Sequence, residues 1–257
     1  MNGDQKKYSV RVLEKSVRIF DIFTYGDESF TLSEIKKKTG LPKTTVFRIL
    51  KTFEIAGFFK YDPDQEKYSL GLRFLELGGL VYSSLSVRKT AAPYMDALSN
   101  NLKATILLGV MKDDQLLYID KREMDSIIRV TSHIGLKRPP YFGMLGMTLL
   151  AYMDSKEIDR LLRLYPPTKI TPKTITDTRR IIKNLDKAKR AGYYMEQDEI
   201  VEGLLGIGVP IKDFSGNVVA ALGATQPVFQ IKEGTIENTI QQLLEASRSI
   251  SKELGYT

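Results

Sequence analysis

The chain of 257 residues is 42% hydrophobic and 27% charged with a net charge of +7, which is typical of a soluble globular protein and favours a polyanionic partner. It has no cysteine and a single histidine, His133, which excludes disulfides, thiol nucleophiles and cysteine–zinc sites, so we expect no metal, no cofactor and no catalytic site. No apolar run is long enough for a membrane span or a signal peptide, and this predicts a cytoplasmic protein that does not bind membranes.

The segment 31–53 has the pattern of a helix-turn-helix motif. A first amphipathic helix, ended by a loop at 25–28, is indicated before it by Leu13, Val17, Phe20 and Phe23. Thr31 and Glu34 have the spacing of a capping box, in which each side chain accepts a hydrogen bond from the other residue's backbone N–H. Gly40 suits a left-handed C-cap, and Pro42 is tolerated in the first turn of the next helix. That helix has an apolar stripe at Val46, Ile49, Leu50 and Phe53.

The opposite side of this helix is cationic. Residues 36–60 hold seven Lys or Arg residues against the single acid Glu54. A solvated face is the usual meaning of such a charge run, but here it coincides with an exposed aromatic residue, two threonines and the helix-turn-helix spacing. Arg48 suits guanine through a bidentate fork, and Phe47 suits a thymine methyl. We therefore interpret the helix as a recognition helix whose DNA-binding residues are Lys43, Thr44, Thr45, Phe47, Arg48 and Lys51.

A β-hairpin is predicted directly after the recognition helix. Aromatic-rich runs at 58–61 and 67–70 flank Asp62-Pro63-Asp64-Gln65, which is a type I turn signal. A hairpin in this position is a wing. Because its tip is acidic, Lys60 and Lys67 on the strands are the better candidates for phosphate contacts.

Residues 72–86 predict a linker helix that is apolar on two sides. One row holds Leu72, Leu75 and Tyr82, and the other holds Phe74, Leu77, Val81 and Leu85. A helix of this kind must bury both sides, which favours packing against a second copy of the chain over ordinary packing on the C-terminal domain. Two paired copies would present two recognition helices to two half-sites.

Strands and helices alternate after residue 86, which predicts an α+β sensor domain. Strands are predicted at 104–111, 116–121, 127–132, 206–212 and 218–225, with hairpin turns at 112–115 and 215–217. Helices are predicted at 88–102, 144–163, 176–191 and 233–254. A run of Gly203, Gly206 and Gly208 is more typical of a strand than of a phosphate-binding loop, because no helix follows it.

Together these residues resemble the isocitrate lyase regulator (IclR) family of bacterial transcription factors over nearly the whole chain. The N-terminal part of the resemblance is carried by Leu32-Ser33-Glu34-Ile35, Thr39-Gly40-Leu41-Pro42-Lys43-Thr44-Thr45-Val46 and Tyr68-Ser69-Leu70-Gly71. The C-terminal part is carried by Tyr118-Ile119-Asp120-Lys121, Arg138-Pro139, Gly146, residues 171–176, Gly192-Tyr193, Asp198-Glu199 and residues 251–256. The resemblance implies a winged helix-turn-helix at 1–71, a linker helix at 72–86 and a GAF-like α/β effector-binding domain at 87–257.

The resemblance also implies a ligand pocket between the central sheet and the loop before the helix of Gly146. Its walls, carried over by position, are Asp120, Phe142, Gly143, Met144, Leu145, Gly146, Glu199, Gly206, Gly223 and Thr225. The N–H groups at the start of that helix suit a ligand carboxylate, and Arg129 would pair with the same anion if it points inward. Many members have cysteine in place of Gly206 and serine in place of Gly223. The two glycines predict added volume and hence a ligand bulkier than the smallest keto acids, such as a sugar acid or an aromatic acid.

The leading hypothesis is a homodimer, or a dimer of such dimers, that regulates transcription and binds a double-stranded DNA operator under the control of a small organic acid. Repression is favoured because the family tends to repress. One alternative is an enzyme acting on a small organic acid, which would depend on the carboxylates of Glu196, Asp198, Glu199 and Glu202. This cluster is otherwise typical of a solvated loop rather than of a cation site. Another is a protein that binds nucleic acid through charge alone.

Overall fold

The structure is a computed structural model that describes residues 10–24, 26–84, 86–123 and 132–256. The chain divides into two compact units, unit 1 at Met1–Ser84 and unit 2 at Leu85–Thr257. No helix within the described ranges is long and apolar enough to cross a membrane.

The described residues of unit 1 form four helices and a small antiparallel sheet. Its helices are α1 (Arg11–Phe20), α2 (Leu32–Thr39), α3 (Lys43–Ile55) and α4 (Arg73–Ser84). Its strands are β1 (Ser29–Thr31), β2 (Phe59–Asp62) and β3 (Lys67–Leu70), in the order β1-β3-β2. The sequence did not predict β1, which has three residues and forms only because it pairs with β3. The helix predicted through Phe23 ends at Phe20, and Tyr25 of the predicted loop lies outside the described residues.

The helix-turn-helix and its wing are confirmed. The Thr31 Oγ1 accepts the Glu34 N–H and the Glu34 carboxylate accepts the Thr31 N–H, so the capping box is complete. Gly40 ends α2 in the left-handed conformation, at φ 68°, and Pro42 is the N-cap of α3. In the wing, Asp62 Oδ1 accepts two backbone N–H groups of the turn, which closes the hairpin between β2 and β3.

An aromatic cluster holds α1, α3, the wing and α4 together. The Phe20 ring contacts the rings of Phe53, Phe59 and Phe74, with centroids 4.9, 5.4 and 5.2 Å away. The Phe74 ring also meets that of Phe58 edge to face at 5.1 Å. Such pairs stabilise a fold by about 0.5–1.5 kcal/mol each beyond the area they bury. The first turn of the predicted linker helix is therefore attached to unit 1 through Phe74.

The chain crosses itself closely just before α4. The Gly71 N–H donates to the Phe58 carbonyl at 2.7 Å, and the Arg73 N–H donates to the Gly57 carbonyl at 3.3 Å. A Cβ on Gly71 would stand 2.2 Å from the Gly57 carbonyl oxygen, which is far inside contact distance. Only glycine at 71 permits this crossing, and the crossing sets where α4 begins.

Unit 2 is built on a six-stranded antiparallel sheet in the order β6-β5-β4-β9-β8-β7. Its strands are β4 (Thr105–Lys112), β5 (Gln115–Arg122), β6 (Lys137–Arg138), β7 (Tyr194–Gln197), β8 (Leu204–Lys212) and β9 (Val218–Pro227). Its helices are α5 (Ser86–Leu102), α6 (Gly143–Leu150), α7 (Ser155–Leu164), α8 (Thr178–Ala191) and α9 (Thr235–Glu253). A short 3-10 turn, Val228–Gln230, follows β9.

Helices cover both faces of this sheet, as the alternation of side chains along a strand requires. On β4, Ile106 and Leu108 join the core formed with α5 and α9, whereas Leu107 joins the core formed with α6, α7 and α8. The sequence predicted most of these elements, with three differences. The helix predicted at 144–163 is two helices. The second begins at Ser155, where the Asp154 side chain caps it by accepting the Glu157 N–H. The strands β6 and β7 were not predicted, and the strand predicted at 127–132 lies almost wholly outside the described residues.

We predict that Gly71→Ala lowers the free energy of unfolding of unit 1 by about 1–3 kcal/mol, because the new methyl group would overlap the Gly57 carbonyl. Urea or thermal unfolding followed by circular dichroism measures the effect. Gly78→Ala in α4 is the matched control. A Cβ there meets nothing within 4 Å, so the variant should be neutral or gain about 0.5–1 kcal/mol. Equal stability of the two variants would refute the role of the crossing.

Candidate DNA-binding and effector sites

The exposed side of α3 carries most of the predicted DNA-binding residues. Burial of Val46, Ile49 and Leu50 turns the other side of the helix outward. Lys43, Thr44 and Arg48 are exposed there, Thr45 is half-buried, and Phe47 keeps 45% of its surface exposed. A surface helix with hydroxyl, guanidinium and aromatic groups on one side can contact both phosphates and base edges.

Lys51 differs from these residues because it makes contacts within the protein. Its ammonium lies 2.8 Å from a Glu54 carboxylate oxygen and 5.4 Å from the centre of the Tyr61 ring in β2. The hydrogen bond with Glu54 raises the pKa of Lys51 above its ordinary value. Lys51 therefore joins α3 to the wing, and it offers less of its charge to a ligand than Arg48 does.

Lys60 and Lys67 lie on the same face of the wing. In the antiparallel register Lys60 pairs with Ser69 and Asp62 pairs with Lys67, while Tyr61 pairs with Tyr68 on the other face. The Tyr61 and Tyr68 rings pack with centroids 4.7 Å apart. Lys60 is exposed and Lys67 is half-buried, so both ammonium groups are held away from this tyrosine pair by the pleat of the strands.

A cavity of about 60 Å³ in unit 2 lies between the sheet and the start of α6. Five of the predicted effector residues line it, namely Phe142, Gly143, Met144, Leu145 and Thr225. Sequence reasoning missed its polar residues Tyr118, Ser132, Arg138 and Glu196. Arg138 and Tyr118 stand in segments that the family resemblance had marked, so their position along the chain was a usable signal. The predicted Arg129 lies outside the described residues.

The volume expected beside Gly206 and Gly223 is filled by neighbouring side chains. A Cβ on Gly206 would stand 2.8 Å from Met144 Sδ and 2.8 Å from Glu196 Oε1. A Cβ on Gly223 would stand 2.9 Å from both Met144 Cε and a Leu145 methyl. The inference that these glycines open the pocket for a bulky ligand is therefore wrong in its premise. Met144 is flexible and unbranched, and it occupies the space that the missing side chains leave.

The polar groups of the cavity have opposite electrostatic characters. The Arg138 guanidinium lies 5.0 Å from the centre of the Phe142 ring, at the cavity wall. The helix α6 begins behind this ring without a side-chain cap, so the positive end of its dipole faces the same region. Burial raises the pKa of Glu196 to about 7, although its carboxylate accepts the Glu199 N–H at 3.1 Å. Burial likewise raises the pKa of the Tyr118 hydroxyl.

The acidic cluster near the cavity is tied up by hydrogen bonds rather than arranged for a cation. The Tyr194 hydroxyl donates to Glu199 at 3.4 Å, and burial raises the pKa of Glu199. Asp198 pairs with Lys173 at 2.6 Å and accepts the Gly203 N–H. Within the described residues, no group of three or more acidic or histidine side chains is placed to hold a metal ion. Glu199 was predicted in the pocket wall, but Glu196 takes that position.

Asp120 faces the opposite side of the sheet from the cavity. A β-bulge lies between the pairs Leu108–Asp120 and Gly109–Tyr118, and the extra residue reverses the alternation of β5. Tyr118 consequently lines the cavity, whereas Asp120 contacts Arg88 of α5 at 3.1 Å and Arg122 at 2.7 Å. Asp120 is thus a buried ion-pair residue that fastens α5 to the sheet.

Gly146 also lies outside the cavity wall. A Cβ there would stand 2.6 Å from the Pro140 carbonyl oxygen. Its role is to let α6 approach the preceding loop, which positions the helix start at the cavity.

A helix-turn-helix with an exposed cationic side, in a chain that also holds a sheet domain with a cavity, is the architecture of a transcription regulator. Residues 12–63 match the IclR helix-turn-helix domain, and residues 80–252 match the C-terminal domain of the bacterial transcriptional regulator IclR. The chain belongs to the IclR family of bacterial transcriptional regulators.

Individual relatives agree with this membership along nearly the full chain. The transcriptional regulator KdgR of Escherichia coli is 32% identical over 242 residues, covering 93% of this chain and 92% of KdgR. The transcriptional repressor AllR of Salmonella typhi is 26% identical, covering 95% of this chain and 90% of AllR. The crystal structure of an IclR homologue from Microbacterium hydrocarbonoxydans complexed with 4-hydroxybenzoate superimposes with a TM-score of 0.83 at 26% identity, covering 95% and 98% of the two chains.

We predict that Glu196→Gln changes how stability depends on pH. The folded state keeps Glu196 protonated up to about pH 7, whereas the unfolded chain loses that proton near pH 4.5, so a rise in pH across this window destabilises the native state. Glutamine does not titrate. The variant should therefore gain on the order of 1–3 kcal/mol relative to wild type between about pH 5 and pH 8, as measured by urea unfolding.

The matched control is Glu202→Gln, which removes an exposed carboxylate from the loop that follows β7. Its difference from wild type should stay constant over the same pH range. A constant difference for Glu196→Gln as well would mean that the Glu196 carboxyl is ionised in the cavity wall.

Proposed function

We propose that the protein is a sequence-specific repressor whose affinity for a DNA operator is controlled by a small organic acid bound beside α6. The observation that carries the DNA-binding half is the exposed side of α3, where Arg48, Thr44 and Lys43 surround Phe47. The relative AllR is named a repressor, which supports repression as the mode of action. We place the protein in the cytoplasm, because that compartment contains the DNA that it would bind.

In this proposal α3 enters the major groove. Arg48 reads a guanine, Phe47 packs on a thymine methyl, and Thr44, Thr45 and Lys43 contact phosphates near the helix start. Lys60 and Lys67 on the wing contact the backbone. Lys51 has a smaller share, since its ammonium is already paired with Glu54. We assign the DNA-binding domain to residues 1–71, the linker helix to 72–86 and the effector domain to 87–257.

We propose that α4 mediates dimerisation. The leucines of its two apolar rows remain outside the core of unit 1: Leu72 is 77% exposed, Leu75 is 72% exposed and Leu77 is 38% exposed. The side chains of 81–85, which complete the two rows, lie outside the described residues. A surface this apolar on one helix is unstable in water unless a partner covers it. The second copy supplies the partner and the second recognition helix.

The effector binds with its anionic group toward Arg138 and the start of α6, and with a hydroxyl group toward Glu196. An anion is favoured there by the guanidinium and by the helix dipole. A carboxyl group with a pKa about 7 both donates and accepts hydrogen bonds near neutral pH, which suits a hydroxyl. Ligand pockets usually measure about 300–1,000 Å³. Since the cavity measures about 60 Å³, any but the smallest acid displaces Met144.

The effector changes DNA binding only through a difference in its affinity for two states of the protein. Displacement of Met144 provides that difference, because the side chain packs on Gly206 in β8 and on Gly223 in β9. The related structure complexed with 4-hydroxybenzoate supports an organic acid as the ligand class. We propose no catalytic role for Glu196 and Glu199, whose carboxylates are held by a backbone N–H and by Tyr194.

We predict that Arg48→Ala weakens operator binding by about 1–3 kcal/mol and relaxes the base preference at one position, because the bidentate contact to guanine is lost. The operator is first selected from a random DNA library with the wild-type protein, and affinity is then measured by fluorescence anisotropy.

Two controls separate base contact from charge. Lys43→Ala should weaken binding to all sequences alike. It should also reduce by about 1 the slope of the logarithm of affinity against the logarithm of salt concentration. Lys156→Ala, an exposed lysine of α7 in unit 2, should leave binding unchanged. An Arg48→Ala protein with the wild-type footprint and affinity would show that α3 does not read the operator.

We predict that Leu75→Glu converts the proposed dimer to a monomer. A carboxylate at the centre of the apolar row would be buried in the interface without an opposite charge to pair with it. Sedimentation velocity measures the association. Leu164→Glu is the matched control, since Leu164 is a 54% exposed leucine at the end of α7, and it should remain dimeric. A dimeric Leu75→Glu protein with unchanged association would assign the interface to another surface.

A further inference from the structure

Unit 2 contains a second cavity, of about 330 Å³, that shares no residue with the effector cavity. It lies where the end of β8 meets α9, and it is flanked by Tyr152 and Tyr256. Its volume falls within the range of about 300–1,000 Å³ that is common for small-molecule sites. The second cavity is thus larger than the cavity beside α6.

Lys212 is fixed at the wall of this second cavity between the two tyrosines. Its ammonium lies 4.9 Å from the centre of the Tyr256 ring, 5.8 Å from that of Tyr152 and 3.3 Å from the Tyr256 hydroxyl. Its backbone N–H donates to the Ser251 hydroxyl at 2.9 Å, which ties the end of β8 to α9. The cationic group is therefore held in place before a ligand arrives, which lowers the entropic cost of binding.

A second cation, Arg248, stands at the rim of this cavity. Arg248 of α9 donates through Nε to the Leu244 carbonyl at 3.2 Å, and its terminal nitrogens make no hydrogen bond within the described residues. Among the residues that the structure describes, none that lines the second cavity carries a carboxylate. The hydroxyls of Ser247 and Ser251 already donate to backbone carbonyls. The electrostatics therefore select an anion.

The rest of the wall is apolar or aromatic. Leu244 and Pro210 contribute aliphatic surface, and the Tyr152 ring is half-buried beside them. A planar ring can stack on a tyrosine face, whereas a strongly hydrated inorganic anion gains nothing from this surface. A ligand that uses both halves of the wall has an aromatic ring and one carboxylate.

We propose that the second cavity binds a small aromatic carboxylate, with its ring between Tyr152, Tyr256 and Leu244 and its carboxylate on Lys212 and Arg248. This site is additional to the effector cavity and independent of its occupant. Two cavities in one sensor domain give the regulator a second input, which is coupled to the first only insofar as each ligand stabilises the same state of unit 2.

The test is isothermal titration calorimetry of the full-length chain with benzoate as the probe. Wild-type protein should show saturable benzoate binding, and the part of that binding that depends on Lys212 is assigned to the second cavity. Lys212→Gln should weaken benzoate binding about tenfold or more, since a charge-assisted contact is lost, while Lys212→Arg should retain most of it. Cyclohexanecarboxylate, which has the same charge without the aromatic ring, should bind several-fold more weakly than benzoate.

Two control variants identify the cavity that is being filled. Lys252→Gln removes an exposed cation from the same helix, outside the second cavity, and should bind benzoate as wild type does. Arg138→Gln alters the effector cavity and identifies any benzoate bound there, which this variant should weaken and Lys212→Gln should not. Thermal unfolding of each variant by circular dichroism checks that it is folded. If Lys212→Gln does not fold, Lys212→Arg still tests the contact.

Three results would overturn the proposal. The first is the absence of saturable benzoate binding by the wild-type chain. The second is benzoate binding that is lost in Arg138→Gln but kept in Lys212→Gln, which would place the ligand beside α6. The third is equal affinity for benzoate and cyclohexanecarboxylate, which would leave a general carboxylate site without aromatic recognition.

Discussion

The burial of one side of α3 is the constraint on which the DNA-binding unit depends. Val46, Ile49 and Leu50 pack against the rest of unit 1, and each contributes about 1.5–3 kcal/mol through the apolar surface it removes from water. Rotation of the helix to hide Arg48 would expose all three. The hydrophobic core therefore determines where the cationic side of α3 points.

The wing and α4 follow from the same core. The aromatic rings of Phe20, Phe59 and Phe74 meet within it, and the crossing of Gly57 and Gly71 allows the chain to pass from wing to helix without a gap. The leucines of α4 do not take part in this packing. Their exposure is the observation that supports the proposed dimerisation through α4.

Unit 2 shows how one sheet can be divided into chemically distinct regions. The face toward α6 is apolar and carries the buried carboxyl of Glu196. It therefore suits a small ligand that has an uncharged hydroxyl group for Glu196. The end of the same sheet near α9 carries Lys212 between two tyrosines, so it suits a charged aromatic ligand. Separate helices cover the two regions.

Local patterns in the sequence determined much of this protein. The capping box of Thr31 and Glu34, the C-cap at Gly40 and the spacing of the α3 stripe each involve residues within a few positions of one another, so their physics is readable from the chain. Tertiary structure alone decided the rest. One extra residue in β5 moved Asp120 away from the cavity, and Met144 filled the space left by Gly206 and Gly223, which follow it by more than sixty and seventy positions. The second cavity likewise joins residues from 152 to 256. A pattern of spacing cannot show which side chains meet after such separations, because pairing register and packing set those contacts and both are properties of the whole fold.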